Sequence, residues 1–316
     1  MSTQLTVSTS PHVHSEFSTR GIMFSVILAL LPAGIIGTYF LGLRSLAVIV
    51  ACIVACVLSE WFWQKCVMKT KTTISDLSAV VTGLLLAYNL PPTIPLWMAV
   101  CGSIFAIIVV KGFYGGLGCN IVNPALAARA MMLISWPTAM TTWTVQGMSG
   151  ATPLAALKAG NAVEISCWNM LVGNMGGCIG EVSSVLLILG GIYLIWEDVI
   201  SWRIPVIYIA TSSILACLFG HGSVMTEIFT GGLLIGAFFM ATDYTTSPMS
   251  AKGQVIYAFG CGLLTALIRT WGGYPEGVSF SILIMNITVP LIDKYTAPKI
   301  LGAPKNNFFK KAEAKK

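Results

Sequence analysis

Residues 21–64 read GIMFSVILALLPAGIIGTYFLGLRSLAVIVACIVACVLSEWFWQ. Two apolar runs, 21–42 and 45–64, flank a short break carrying Arg44, and each has roughly the 20 residues that a hydrocarbon layer about 30 Å thick demands of a helix. The pattern continues near 74–89, 94–111, 121–136, 181–197, 203–220, 225–241, 254–271 and 277–294. The fold expected is therefore an all-α integral membrane protein with about ten transmembrane helices. Composition agrees: 56% of the 316 residues are hydrophobic and 9% charged, against about a quarter charged in soluble domains. Segment 164–179 is too short and glycine-rich to span alone. It reads as a Gly-broken half-helix, tolerated at membrane depth only where protein buries it.

Charge sets the expected orientation. The net charge of +6 collects in a few loops and the tail, a topology signal rather than a nucleic-acid surface. With a cytoplasmic N-terminus, ten spans place Arg20, Lys65, Lys69, Lys71, Lys111, Arg203, Lys252 and the tail from Lys294 to Lys316 inside. Arg44, Lys158 and Arg269 fall outside, and Arg129 lies within a span. Residues 1–20 lack a signal-peptide core and read as a cytoplasmic segment. The single membrane domain covers 21–294, with 137–163 as an outer loop and 295–316 as a basic cytoplasmic tail. The nine cysteines show no Cys-x-x-Cys pair or Cys/His metal spacing and read as small apolar side chains.

Internal repetition points to two halves. Cys101-Gly102 followed by Gly112-Phe113-Tyr114 recurs as Cys261-Gly262 followed by Gly272-Gly273-Tyr274, each copy preceded by a Gly-Leu-Leu run at Gly83 or Gly232. Five spans per half make the copies inverted, about 21–136 and 164–294, an arrangement that commonly builds a midplane site from broken helices.

Three segments carry polar groups where a plain span would carry leucine. YGGLGCNIVNPALAARA, 114–130, offers Gly115, Gly116, Asn120, Asn123 and Arg129 at the start of a Pro-opened helix, a place for a phosphate or a polar ring edge. It also reads as a helix hairpin capped by asparagines, although an arginine inside a span usually has a partner or a role. QGMSGATPLAAL, 146–157, presents Ser149, Gly150, Ala151, Thr152 and Pro153 in the outer loop. GNMGGCIGEVSS, 173–184, holds Asn174 and ends in Glu181 just inside a span.

Ser149-Gly150-Ala151-Thr152 resembles the acceptor at which flavin transferases attach FMN to threonine through a phosphodiester, a reaction of the outer face. The motif often opens with an aspartate six residues before the threonine; here Gln146 stands there. DLSAVVTGLLLAYNLPP, YGGLGCNIVNPALAARA, SGATPL, GNMGGCIGE, FFMATD and GGYPEGVSFSILIMNITVPLID, spread over about 76–293, resemble in that order the NqrB/RnfD family of membrane flavoproteins. The resemblance implies a redox subunit, not catalytic alone, of an Rnf complex coupling electron transfer between ferredoxin and NAD+ to Na+ or H+ transport. It further implies covalent FMN at Thr152, riboflavin near 114–124, and a cytoplasmic (inner) membrane location. Expected partners are RnfG as electron donor, RnfA, RnfB, RnfC and RnfE, and a flavin transferase.

For ion movement the candidates are acids at span ends: Asp76, Glu181, Asp243 and Asp293. Each equally reads as a helix cap or a partner of interfacial lysines. Alternatives to the Rnf reading are an NqrB-type subunit of a Na+-pumping NADH:quinone reductase, a solute channel or transporter of similar architecture, and a purely structural membrane subunit.

Overall fold

The computed structural model describes residues 18–70, 72–142, 144–145, 148–149, 154, 177–220, 224–273 and 277–297. Twelve helices are described, in chain order: α1 Thr19–Leu41, α2 Leu43–Phe62, α3 Ser78–Tyr88, α4 Leu96–Ile104, α5 Pro124–Ser135, α6 Pro137–Thr141, α7 Ser184–Trp196, α8 Arg203–Leu218, α9 Val224–Phe229, α10 Leu233–Ile235, α11 Ala251–Trp271 and α12 Val278–Thr296. Among the described residues, the strand structure is a two-residue pair, β1 Thr144–Val145 against β2 Met148–Ser149, in the expected outer loop.

Helix starts follow local chemistry. Ser18 accepts from the Gly21 amide at 3.1 Å, and Ser250 from that of Gly253 at 3.0 Å. Asn123 caps α5, whose first residue is Pro124, so the ring sits where no backbone donor is needed. Three helices continue as π-helical turns: Trp63–Val67 after α2, Phe105–Gly112 after α4 and Gly236–Met240 after α10.

Helix occupies each of the ten expected positions, but lengths differ from expectation. Four helices are long and apolar enough to cross a membrane: Thr19–Leu41, Leu43–Val67, Ala251–Trp271 and Val278–Thr296. Five apolar helices are shorter; α3, with 11 residues, is only ~16 Å long at 1.5 Å per residue. Position 74–89 opens with a 3-10 turn, Ile74–Asp76, and Leu77 at φ 64° before α3 begins. The stretch 225–241, expected as one span, is two pieces. The chain breaks between Phe229 and Leu233, where Gly231 and Gly232 adopt φ of 69° and 68°, a conformation costly for residues with a Cβ.

Helix α1 packs against α7, and α5 against α12. Close approach is made by small residues: a Cβ on Gly190 would meet the Ala29 carbonyl oxygen at 2.5 Å, and one on Gly83 the Ile53 Cα at 2.8 Å. Polar groups join helices within the apolar core. The Tyr208 hydroxyl lies 2.8 Å from Thr265 Oγ1 and 3.0 Å from Ser281 Oγ, linking α8, α11 and α12, the kind of interhelical contact that holds helices where hydrophobicity alone gives no drive.

Candidate functional site

Two cavities share Lys111 and Leu117 in their linings. The first, of about 390 Å³, lies between the helix series. Val81, Leu85, Phe238 and Phe239 give it apolar walls, and Ser78, Lys111, Asn120, Asn123, Asp243 and Thr245 contribute polar groups. Its volume and lining match a pocket for a small organic ligand, mostly apolar with a few placed polar groups. The second, about 450 Å³, is lined by Glu60, Trp63, Gln64, Thr73, Asp76, Lys111, Gly115 and Gly116 among others. Lys111 lines both. All three π-helical turns supply lining residues, Trp63 and Gln64, Lys111, and Phe238 and Phe239; such turns concentrate at functional sites.

The asparagines are largely occupied in shaping the first cavity. Asn123 accepts from the Ala125 and Leu126 amides and donates to the Met240 carbonyl at 3.3 Å, fixing α5 against the π turn of the other series. Asn120 donates to Asp243 Oδ2 at 3.4 Å and accepts from Thr245 at 2.9 Å. Thr245 and Thr246 donate to Asp243 as well. Asp243 sits in the turn after Met240, outside the helices, and burial pushes its carboxyl above the ordinary value despite these hydrogen bonds.

Lys111 occupies the hinge between the cavities. Its ammonium donates to Glu60 Oε1 at 2.7 Å and to Ser78 Oγ at 2.7 Å, and Ser78 Oγ donates on to Asp76 Oδ1 at 2.8 Å. Lys111 and Glu60 side chains are each 4% exposed. Glu60 Oε2 and Trp63 Nε1 are buried with no hydrogen-bond partner among the described residues.

A second buried pair lies in the later half. Arg269 Nη1 donates to Glu227 Oε2 at 2.5 Å and to its carbonyl at 3.0 Å, while Nη2 donates to the Thr230 and Gly231 carbonyls. The guanidinium thus satisfies carbonyls exposed by the break after α9.

Placement divides the residues singled out from sequence. Asn120, Asn123 and Asp243 share the first cavity; Gly115, Gly116 and Asp76 open on the second. Arg129 lines neither: it donates to Ser279 at 2.6 Å and to Cys178 Sγ at 3.7 Å, tying α5 to α12 and to the 3-10 turn at Ile179–Glu181. Glu181 lies in that turn, near Gly232. Asp293 accepts from the Met249 amide at 3.3 Å, and Asp76 caps α3 through the Ser78 amide at 3.0 Å. Gly150, Ala151, Thr152, Pro153 and Asn174 lie outside the described residues, as does most of 164–179, and Ser149 is described only in its backbone. Among the described residues no group of three or more His, Cys, Asp or Glu could hold a metal ion.

Sequence reading missed Glu60 and Glu227, and it counted Lys111 and Arg269, at the ends of spans 94–111 and 254–271, as charges on the inner and outer faces, whereas both are buried. The signal was present: a carboxylate inside an apolar run is costly and marks a partner.

A sequence profile of the NQR2, RnfD, RnfE family matches residues 6–302. The chain belongs to this family. Among relatives in the NQR2, RnfD, RnfE family, the D component of the Na+-translocating ferredoxin:NAD+ oxidoreductase complex of Acetobacterium woodii is 50% identical, covering 95% of this chain and 96% of the relative. The D component of the proton-translocating ferredoxin:NAD+ oxidoreductase complex of Clostridium ljungdahlii is 48% identical, with 94% and 96% covered. The D component of the ion-translocating oxidoreductase complex of Aliivibrio salmonicida is 36% identical, with 95% and 99% covered.

Proposed function

We propose that this chain is the flavin-carrying membrane relay of an ion-translocating ferredoxin:NAD+ oxidoreductase complex. It would have ten spans in two inverted five-helix halves, with both termini on the cytoplasmic face of the cytoplasmic membrane. What carries this reading is end-to-end similarity, at 50% and 48% identity, to two proteins named as the D component of such complexes. Removing the buried Lys111 and Arg269 from the count of loop charges leaves only Arg44 and Lys158 outside, which supports the orientation.

In this frame the outer cofactor is FMN esterified to Thr152, and the inner one riboflavin in the first cavity. A bound isoalloxazine supplies one- and two-electron chemistry at a single ring system. The first cavity fits such a ring: its aromatic and aliphatic walls exclude water, and Asn120 and Asn123 fix the wall where the two helix series meet. Of the three N–H groups on the Lys111 ammonium, two are engaged by Glu60 and Ser78, and the third has no hydrogen bond among the described residues and would be offered to a polar ring edge. Electrons would enter from RnfG on the outer face and return inward towards a cytoplasmic NAD site in another subunit, with RnfA, RnfB, RnfC and RnfE as the remaining partners of the complex.

The test is co-expression with an active flavin transferase. Denatured wild-type protein should fluoresce in gel, with the adduct mass on the peptide containing Thr152. Thr152→Ala should lose that signal and keep extractable riboflavin. No fluorescence from wild type, or unchanged fluorescence from Thr152→Ala, would sink the assignment. Relatives of nearly equal identity are named for different ions, so transport assays must compare Na+ with H+ directly.

A further inference from the structure

We propose that Leu154 is the positioning residue of the tethered flavin: seated on Gly231 beside Arg269, it fixes where the acceptor Thr152 stands against the later half of the fold. The inference rests on the reading of FMN at Thr152 above. Its geometry rests on Leu154, Gly231 and Arg269.

Three observations place the pin. Leu154 is only 1% exposed. Its Cδ1 fills the space into which a Cβ on Gly231 would project, and that same Cβ would meet Arg269 Nη2 at 2.9 Å, so leucine, glycine and guanidinium form one packed contact. Gly231 stands in the break between α9 and α10, where the Arg269 guanidinium holds the carbonyls of Glu227, Thr230 and Gly231. The floor under Leu154 is therefore backbone fixed by a buried cation. Arg269 lies in the last turn of α11, which the charge pattern puts towards the outer face, the side expected for Thr152. In sequence, Leu154 follows Thr152 by two residues, with Pro153 between them. Two residues reach at most about 7 Å, and a proline fixes one torsion and restricts the residue before it. The link from pin to acceptor is short and stiff.

An acceptor threonine meets two opposed demands. An attaching enzyme must reach it, yet the flavin it then carries must keep one position in an electron relay, where placing the ring is the protein's contribution. A side chain buried close to the acceptor, but not at it, satisfies both. The gain is in effective concentration: a tethered group occupies its resting place less as its tether lengthens, roughly as the −3/2 power of length. With Leu154 seated, the tether is the phosphodiester, the ribityl chain and two residues. Unseated, it also includes the loop residues on either side, and the ring's occupancy of its resting place falls. Gly231 thus serves twice, once for the left-handed turn of the break and once as the socket for Leu154.

The experiment uses the full chain co-expressed with an active flavin transferase, as wild type, Leu154→Ser, Leu154→Met, Gly231→Ala and Gly232→Ala. Peptide mass gives the fraction carrying the adduct, and iodide quenching and anisotropy of flavin fluorescence are read on folded protein, with Thr152→Ala as the blank for non-covalent flavin. Per adduct, Leu154→Ser should raise the quenching constant severalfold and lower the anisotropy, while Leu154→Met stays near wild type. Gly231→Ala should act like Leu154→Ser while leaving the acceptor sequence intact, and so decides the matter if Leu154→Ser escapes modification. Gly232→Ala carries similar backbone strain, at φ 68° against 69°, but its Cβ faces Glu181 instead of Leu154; it should quench as wild type. Wild type without the adduct overturns the FMN reading and the pin together. Adduct present, with Leu154→Ser and Gly231→Ala quenched as wild type or Gly232→Ala changed as much as Gly231→Ala, overturns the pin and leaves the FMN reading standing.

Discussion

Among the described residues, one buried glutamate–cation pair lies in each half of the chain, and the two pairs are built differently. In the later half Arg269 and Glu227 are both fully buried, and the guanidinium also binds three backbone carbonyls around the break at Thr230–Gly232. In the earlier half Lys111 shares its ammonium between Glu60 and a serine, one carboxylate oxygen is left over, and a cavity lies on either side. Arginine's planar fork suits a fixed, many-bonded anchor, and lysine's single ammonium on a flexible stem suits a charge that changes partners. The contrast teaches that a buried ion pair in a membrane-embedded core is not one kind of object. The closed pair holds up a broken helix; the open pair faces two cavities.

The largest effect expected is at the closed pair. Arg269→Met removes the Arg269–Glu227 ion pair and the guanidinium's bonds to the carbonyls of Glu227, Thr230 and Gly231, and breaking such a pair costs about 3–5 kcal/mol. Thermal unfolding in detergent should show a large loss, with poor accumulation in membranes. Lys111→Met should cost less, about 1–3 kcal/mol, since water entering the second cavity can solvate Glu60. Should Lys111→Met unfold the protein as severely as Arg269→Met, the open pair is an anchor too and the comparison fails. A smaller loss belongs to Gly231→Ala, where an added Cβ must accept a φ of 69°, would press into Leu154 Cδ1 and would meet Arg269 Nη2 at 2.9 Å. Its melting point should fall short of wild type yet exceed that of Arg269→Met.

Helix positions were legible because an apolar run near bilayer length has few other fates, and Arg44 or Pro124 mark run ends without ambiguity. The break at Gly231-Gly232 was not, because two glycines within FTGGLLIG leave hydropathy intact while changing the backbone. The pairs were hidden for another reason. Glu60 and Lys111 are 51 residues apart and Glu227 and Arg269 are 42 apart, so no local window contains both partners. Lys111 and Arg269 each stand near the end of a run, where a cation reads equally as a loop charge. Asn120 and Asn123 were singled out from their place before Pro124, but their bonds to the later half, at Asp243 and Met240, depend on a meeting of the halves that periodicity does not encode.

Asp243 gives the smallest effect and the finest test of the contrast, because its described hydrogen-bond partners are the Asn120 amide, the Thr245 and Thr246 hydroxyls and the Thr245 backbone N–H, with no cation among them. Burial outweighs those bonds, so the folded protein holds the carboxyl above its ordinary value. For an acid shifted upward, the linked stability is complete below the unfolded value and drains away as pH rises through the folded one. Asp243→Asn retains an oxygen to accept from Thr245 and Thr246 while removing the ionisation. The variant should match wild type at acidic pH and become progressively the more stable of the two as pH rises above the ordinary carboxylate range, read as a widening difference in melting temperature in detergent. A difference that stays constant across that range would mean Asp243 ionises as easily folded as unfolded. The uncompensated carboxylate would then be as well solvated as a paired one, and partner type would not decide how a buried acid behaves here.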